Sequence, residues 1–279
     1  MSTPQASTVS YWRKRAGECL PGAEASREMD LLLMQVLDRP HAWLHAWPEH
    51  ELTAQQTGRL ESLMARRRAG EPLAYILGEQ AFWTLNLHVT PAVLIPRPDT
   101  ECVVEKVLEL GQGKVWRVAD LGTGSGAIAL SLAAEHPEWE VTATDISPDS
   151  LAIARANAER NHLPHVRFCC GDWLEPLEGR YDCLVSNPPY IVPGDPHLDQ
   201  LVHEPLRALV AHDEGLADLR TLARLSGNFL RPGGWLVLEH GYDQHLAVQE
   251  LLRDAGFTAI DSGRDYGGNW RYTFGRTAC

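Results

Sequence analysis

Asn187-Pro-Pro-Tyr190 places a side-chain amide, two residues that lack a backbone N–H and an aromatic ring in one four-residue stretch. Pro188 and Pro189 rigidify the segment and remove two donors, so the local carbonyls and the Asn187 oxygen are left to face an incoming group as acceptors. A planar NH2 group suits such a site. Its nitrogen is a poor nucleophile because the lone pair is delocalised into a carbonyl or a ring. A loop that holds both N–H groups while presenting the lone pair would therefore serve a methyl transfer. Tyr190 is expected to pack against the planar group and against a sulfonium donor. In isolation, a proline-rich loop capped by asparagine would also explain these residues, so their neighbours decide.

The neighbour that matters is Val118-Ala-Asp-Leu-Gly-Thr-Gly-Ser-Gly126, which ends a predicted strand and opens a predicted helix. Its G-x-G-x-G spacing, preceded by Asp120, departs from the G-x-G-x-x-G of a pyrophosphate cradle. Gly122, Gly124 and Gly126 let a ligand lie against the backbone, with Thr123 and Ser125 between them, while Asp120 would repel a phosphate and attract a cationic amino group. An amino acid joined to a nucleoside meets both conditions. Asp145 ends the next strand, 19 positions after Gly126, where a carboxylate accepts from both ribose hydroxyls in folds of this kind. Asp172 and Trp173 follow at the third strand end, the acid for an adenine amino group and the indole for the purine face. Three acids at three successive strand ends argue against an ordinary glycine-rich turn.

The elements that must carry these loops are legible in the 279 residues. Met29, Leu32, Leu33, Val36 and Leu37 form one helical face that Pro40 stops, and Thr53 with Gln56 opens a second helix that closes on Arg66 to Arg68, read as a solvated helix end, and Gly70. Alternation begins at Gln80, with Phe82, Leu85, Leu87 and Val89 at strand spacing before Ile95-Pro-Arg-Pro98. Apolar runs at 115–121, 140–146, 166–170, 183–186 and 235–238 then alternate with helices such as 149–159 and 243–255. That order predicts a parallel, doubly wound α/β sheet, and 257–260 with 270–274 closes it as an antiparallel pair. We delimit a helical domain at 1–79, a β-hairpin hinge at 80–96 and the ligand-binding domain at 97–279.

Composition removes several classes. Twenty-five basic against 37 acidic residues give a net charge of −12, which disfavours a protein that grips nucleic acid by its phosphates. The longest apolar run, Leu73 to Leu77, is five residues, far below the roughly 20 needed to span a bilayer. Met1-Ser-Thr-Pro-Gln leads into Trp12-Arg-Lys-Arg15 without an apolar stretch behind it, so no secretory signal and a cytoplasmic place are expected. Cys19, Cys102, Cys169, Cys170, Cys183 and Cys279 form no C-x-x-C pair and read as reduced thiols. His41 and His45 have metal-like spacing but neither an adjacent glutamate nor a third ligand nearby in sequence, and no metal is assigned. Glu239 is read as an acceptor at a strand end. Glu204 and Arg207 are read either as shaping a substrate loop or as pairing with each other.

Asp120-x-Gly-x-Gly-x-Gly126 together with Asn187-Pro-Pro-Tyr190 resembles the S-adenosylmethionine-dependent amino-methyltransferases. Leu94-Ile-Pro-Arg-Pro-Asp-Thr-Glu101, Glu71-Pro-Leu-x-Tyr-Ile-x-Gly78, Glu204-Pro-x-x-Ala-Leu209 and Glu239-His-Gly-x-x-Gln244 are similar to the peptide chain release factor N5-glutamine methyltransferases, the PrmC or HemK family. Asp99 stands where that family more often has Glu. The resemblance covers nearly the whole chain. It implies a Rossmann-like class I methyltransferase sheet with a small helical N-terminal domain that docks the release factor, and S-adenosyl-L-methionine as cofactor. The implied substrate is the glutamine of a Gly-Gly-Gln loop, its amide donating to Asn187 and the Pro188 carbonyl, with direct displacement and no evident general base. Arg97 and Thr100 are implied near the methionine end. Asp99 or Thr100 is equally readable as the cap of the helix bearing Val103, Val104, Val107 and Leu108. A monomer that contacts a protein, not nucleic acid or a membrane, is expected. The methyltransferase of a glutamine in ribosomal protein L3 shares both motifs but differs over Ile95-Pro-Arg-Pro-Asp-Thr100, and an amino-methyltransferase of nucleic acid lacks support from any basic recognition segment. A non-catalytic nucleoside sensor would not need the intact Asn187-Pro-Pro-Tyr190.

Overall fold

The computed structural model describes residues 7–278; Met1 to Ala6 and Cys279 lie outside them. The chain divides into two compact units between Gly78 and Glu79.

The first unit is helical. Its longest helices, Ala25–Leu37 and Ala54–Arg68, bury Met29, Leu32, Leu33, Leu60 and Met64 against Val9, Trp12 and Leu44. The first ends before Pro40, at Asp38, which takes a left-handed conformation. Thr53 and Gln56 form the expected reciprocal cap, each side chain accepting from the other's backbone N–H. The basic helix end is not simply solvated. Arg67 turns inward onto buried Glu28 with two 2.8 Å hydrogen bonds, Arg66 pairs with Glu71, and Arg68 donates to the Cys19 carbonyl. The histidines also differ from expectation, because the fold brings Asp30 beside His41 and His45 as a third side chain of ligand type. The Arg13 guanidinium sits among them, held bidentately by Asp30 and 3.2 Å from His45 Nε2, so a cation already fills the gap.

In the second unit, strands β1 (Glu79–Phe82) and β2 (Leu85–His88) form an antiparallel hairpin. The sequence reading set this segment apart as a hinge, but Phe82 and Leu87 are buried in the core of the second unit. Asn157 fastens it by accepting from His88 N and donating to His88 O and Ser125 O. The hairpin and the glycine loop thus share one side chain.

The main sheet comprises β3 (Arg117–Leu121), β4 (Glu140–Asp145), β5 (Arg167–Cys170), β6 (Tyr181–Ser186), β7 (Leu230–Glu239), β8 (Thr258–Arg264) and β9 (Trp270–Arg276). Their order is β5-β4-β3-β6-β7-β9-β8, with β3 to β7 parallel and β9 antiparallel to both β7 and β8. Strands covered on both sides need apolar residues at successive positions, and these have them. Val118, Cys183, Val185 and Val237 meet the helices Glu101–Gly111 and Ala127–Glu135 on one face. Ala119, Leu121, Leu184, Leu236 and Leu238 meet Ala217–Ser226 and His245–Asp254 on the other. Burial contributes about 1.5–3 kcal/mol per large aliphatic side chain, and the sheet is the rigid platform for the loops at its edge. Strand β7 starts earlier than read, because Arg231-Pro-Gly-Gly234 has the composition of a turn yet lies within it, where the register with β6 shifts.

Candidate active site

The chain passes from β3 outward through β4 and β5, then returns to the other side of β3 as β6. Such a reversal opens a crevice beyond the carboxyl ends of the two central strands. The glycine loop leaves β3 and Asn187-Pro-Pro-Tyr190 leaves β6, so both motifs meet there. The crevice holds a cavity of about 280 Å³.

Asp120, Gly122, Thr123, Gly124, Ser125, Asp145, Asp172, Trp173, Asn187, Pro189, Arg97 and Thr100 all line that cavity. Gly126 does not. It caps the helix Ala127–Glu135 with φ of 88°, and its missing side chain leaves space for Leu130 and Ala154. Gly122 is required for two reasons: its φ is 74°, and a Cβ there would stand 2.9 Å from the Trp173 ring. Pro188 and Tyr190 are also absent from this wall. They line a smaller cavity of about 190 Å³ together with Leu94, Ile191, Leu201 and Leu209. Tyr190 is therefore not on the donor cavity, where stacking on a sulfonium had been expected. Asn187 and Arg97 border both spaces.

Buried Asp120 accepts from Thr123 Oγ1 at 2.6 Å and from Ala129 N at 3.2 Å, both through Oδ2. Its Oδ1 has no hydrogen-bond partner. Burial, aided by the nearby Asp145 charge, pushes its carboxyl up to about 7 against those two hydrogen bonds, so a cation reaching Oδ1 would restore the ionised form. Asp145 holds Gly124 N at 2.9 Å on one oxygen and Ser147 N at 2.8 Å on the other, which leaves acceptor capacity on both.

Asn187 donates from Nδ2 to Thr100 Oγ1 at 3.2 Å, so its Oδ1 is directed elsewhere. Neither Asp99 nor Thr100 caps the following helix by its side chain; Thr100 is turned to Asn187, and the Asp99 carboxylate lies 3.7 Å from Arg271. Glu204 and Arg207 do not pair with each other. Glu204 accepts from Ile95 N at 3.0 Å and pairs with Arg97, whereas Arg207 donates to Ser147 Oγ at 2.6 Å. Glu239, fully buried at the end of β7, accepts from the Tyr190 hydroxyl at 3.2 Å through Oε1. Burial pushes its carboxyl up to about 7, opposed first by the Thr100 hydroxyl and then by Arg271 and Tyr190. Burial, followed by the Glu239 charge, also raises the Tyr190 phenol above its ordinary range.

Residues 12–78 match the PrmC N-terminal domain and residues 100–215 the Methyltransferase small domain. The release factor glutamine methyltransferase of Yersinia pestis is 48% identical over 254 residues, 90% of this chain and 92% of that protein. The chain belongs to the release factor glutamine methyltransferase family. The family member of Escherichia coli strain K12 is 43% identical over 270 residues, 95% of this chain and 98% of that protein. A methyltransferase structure from Pyrococcus furiosus superposes with a TM-score of 0.56 at 21% identity, covering 78% of this chain and 99% of that one, which shows the shared class I fold.

The methyl donor of this family's fold is S-adenosyl-L-methionine, and the cavity suits it. A buried carboxylate oxygen without a partner matches a cationic amino group, and a glycine loop closed by an indole matches a nucleoside laid on backbone. The sequence reading missed Ile146, Ser150 and Asp218, which also line the cavity. Ile146 had a signal, an apolar residue directly after the strand-end acid Asp145, and the fold leaves it 61% exposed. Asp218 had none, since an acid in the first turn of a helix reads as complementing the helix dipole. Burial and the neighbouring Asp172 charge raise its carboxyl.

Proposed function

We propose that this chain methylates the side-chain amide nitrogen (N5) of the glutamine in the Gly-Gly-Gln loop of peptide chain release factors. The observation that carries the reading is Asn187, which borders both cavities while Thr100 occupies its N–H group. Oδ1 is then the atom left to accept one amide N–H of the substrate, and the Pro188 carbonyl takes the other. The apolar walls of the smaller cavity exclude water and strengthen both bonds. The bound sulfonium supplies an electrophilic methyl group. The loop holds the amide nitrogen so that its lone pair faces the larger cavity, where displacement at that methyl group would form the N–C bond as the S–C bond broke and would leave a neutral thioether. No carboxylate or imidazole lines the smaller cavity among the described residues, so no base there takes the surplus N–H proton, which the methylated amide releases to solvent as it leaves the site.

In the same reading Asp120 holds the amino group, Asp145 both ribose hydroxyls, Asp172 the adenine amino group and Trp173 the purine face, with Arg97 and Thr100 toward the methionine end. Asp145→Ala should weaken both the cofactor and its demethylated product by about 1.5–3 kcal/mol, the scale for hydrogen bonds to a charged acceptor. Unchanged affinities by titration calorimetry in the folded variant would reject the ribose assignment.

The helical unit docks the protein substrate. Removing residues 1–78 should raise KM for intact release factor about tenfold or more, equivalent to about 1.4 kcal/mol, while cofactor affinity persists, since remote contacts supply binding and not transfer geometry. A soluble second unit that methylates intact factor as well as the full chain does would remove this role. We place the enzyme in the cytoplasm as a monomer; among the described residues no helix is long and apolar enough to cross a membrane. Labelled cofactor, full-length enzyme and a release factor, followed by peptide mapping, test the whole reading. Label on the Gly-Gly-Gln glutamine is the expected result, and label only in RNA or in a ribosomal protein would overturn it.

A further inference from the structure

The segment Glu204-Pro-x-x-Ala-Leu209 takes no part in the chemistry above, yet Pro205, Arg207 and Ala208 line the larger cavity. It is fastened on both sides of Arg207. Glu204 accepts from Ile95 N and pairs with Arg97, while Ile191 donates to the Leu209 carbonyl and accepts from Ala211 N, each at 2.9 Å. The short turn Leu206–Ala208 between these anchors is therefore held, and the part left to swing is the Arg207 side chain. Among the residues that line the larger cavity, Ile146, Asp172 and Arg207 are exposed. A side chain that both lines a cavity and meets solvent stands at its mouth. From there the Arg207 guanidinium reaches Ser147 Oγ at 2.6 Å. Ser147 follows β4 and Arg207 lies in the segment after β6, and those strands flank β3 on either side. The bond thus joins two walls of the crevice across the end of the strand that carries the glycine loop.

We propose that Arg207 is a bar across the cofactor entrance, latched on Ser147, whose release sets how fast S-adenosyl-L-methionine enters and its demethylated product leaves. The choice of partner fits a latch. Asp120, Asp145, Asp172 and Asp218 all line the same cavity, yet among the described residues the Arg207 side chain bonds to a hydroxyl and pairs with none of them. A carboxylate would hold the guanidinium with a second charge, whereas a hydroxyl gives a bond strong enough to keep the bar closed most of the time and weak enough to let go. Opening then needs only a rotamer change of an exposed side chain, a motion of picoseconds to nanoseconds. A gate that is fast and mostly closed scales entry and exit by the same open fraction, so it changes both rates and leaves the affinity nearly alone. Arg207 acts on passage through the mouth, and Asp145 and the glycine loop act on the bound state.

This inference rests on the reading that the larger cavity holds the cofactor, and the test separates the two. Association and dissociation rates of S-adenosyl-L-homocysteine, the demethylated product, are measured by stopped flow on the full chain for Arg207→Ala, Ser147→Ala, the double variant and Asp145→Ala. Arg207 is exposed, so its truncation should leave the fold intact. Arg207→Ala should speed association and dissociation alike, by about tenfold, the scale for one charge-assisted hydrogen bond, with the dissociation constant changed by less than about threefold. Ser147→Ala removes the latch but keeps the bar, and should speed both rates in the same sense. It also gives up the hydrogen bond from Ser150 N that caps the helix Pro148–Arg160, so the decisive comparison is made without the arginine. In the Arg207→Ala background Ser147→Ala should add nothing, because the hydroxyl has nothing left to hold. Wild-type rates for Arg207→Ala overturn the proposal. So does a rise in dissociation with association unchanged, which would make Arg207 an ordinary binding contact, and so does a further acceleration by Ser147→Ala in the double variant. An unchanged affinity for Asp145→Ala would instead remove the underlying reading of the cavity.

Discussion

Asn187→Ala should lower turnover by about 10² to 10³ with cofactor affinity intact, the scale for removing one positioned polar contact in a water-excluded site. The substitution deletes Oδ1, and with it the acceptor for one substrate N–H. The glycine loop and Asp145 make no hydrogen bond to the Asn187 side chain, whose polar contact among the described residues is Thr100. The loss should therefore fall on the methyl-transfer step. Asn187→Asp is the sharper comparison. It preserves an acceptor at similar volume, but it also gives up the N–H that Thr100 accepts and adds a negative charge near the sulfonium. An activity between those of the alanine variant and the wild type is expected, together with tighter ground-state cofactor binding from the added charge. Single-turnover rates and product-complex affinities for both variants separate acceptance from charge. Methyl transfer by Asn187→Ala at nearly the wild-type rate would sink the mechanism, even with the family membership unaffected.

What was legible in the sequence divides along a physical line. The glycine loop, the strand-end acids and Asn187-Pro-Pro-Tyr190 are short because each does its work with neighbouring residues: a positive φ, a missing N–H, a carboxylate at the last position of a strand. Periodicity likewise exposed the helices and most of the sheet, since burial on one or two faces writes a period into the chain. The reading failed where a partner arrives from far along the chain. Glu204 and Arg207 lie three residues apart and carry opposite charges, so mutual pairing was a fair option. The fold instead gives Glu204 to Ile95 and Arg97, more than 100 positions away, and Arg207 to Ser147. Thr100 stands at a helix start and reads as a cap, but β6 delivers Asn187 to it. Asp30 joins His41 and His45 through helix packing that neither segment encodes alone. Glu239 did leave a trace, because it follows the apolar run at 235–238, of which Leu236, Val237 and Leu238 are fully buried. A carboxylate that accompanies such a strand into the core needs partners, and that expectation held when Tyr190 proved to be one.

The left-handed turn at Asp213, Glu214 and Gly215 was invisible in the sequence, and it yields a second large effect. Three successive residues take φ of 55°, 55° and 79°, a costly conformation for the first two at about 1–2 kcal/mol each. The turn sits directly against the acceptor loop. A Cβ on Gly215 would stand 2.2 Å from the Tyr190 carbonyl oxygen and 2.7 Å from Gln244 Nε2, the donor that joins those two segments. Gly215→Ala therefore combines left-handed strain at alanine with a clash against backbone, which has no flexible end to swing aside. Strain of about 1–2 kcal/mol and overpacking of about 1–3 kcal/mol should together destabilise the second unit by about 2–5 kcal/mol. If the unit relieves the clash by moving Tyr190, the cost passes to the loop. Stability then falls less, but methyl transfer slows while cofactor affinity holds, since Gly215 and Tyr190 both lie off the larger cavity's wall. Denaturant unfolding and single-turnover rates on one variant distinguish these routes, and the sum of the two losses is the quantity expected to be large. Wild-type unfolding together with a wild-type rate would show that the turn yields without disturbing Tyr190, and would remove the rigid contact between this turn and the acceptor loop from the account of the site.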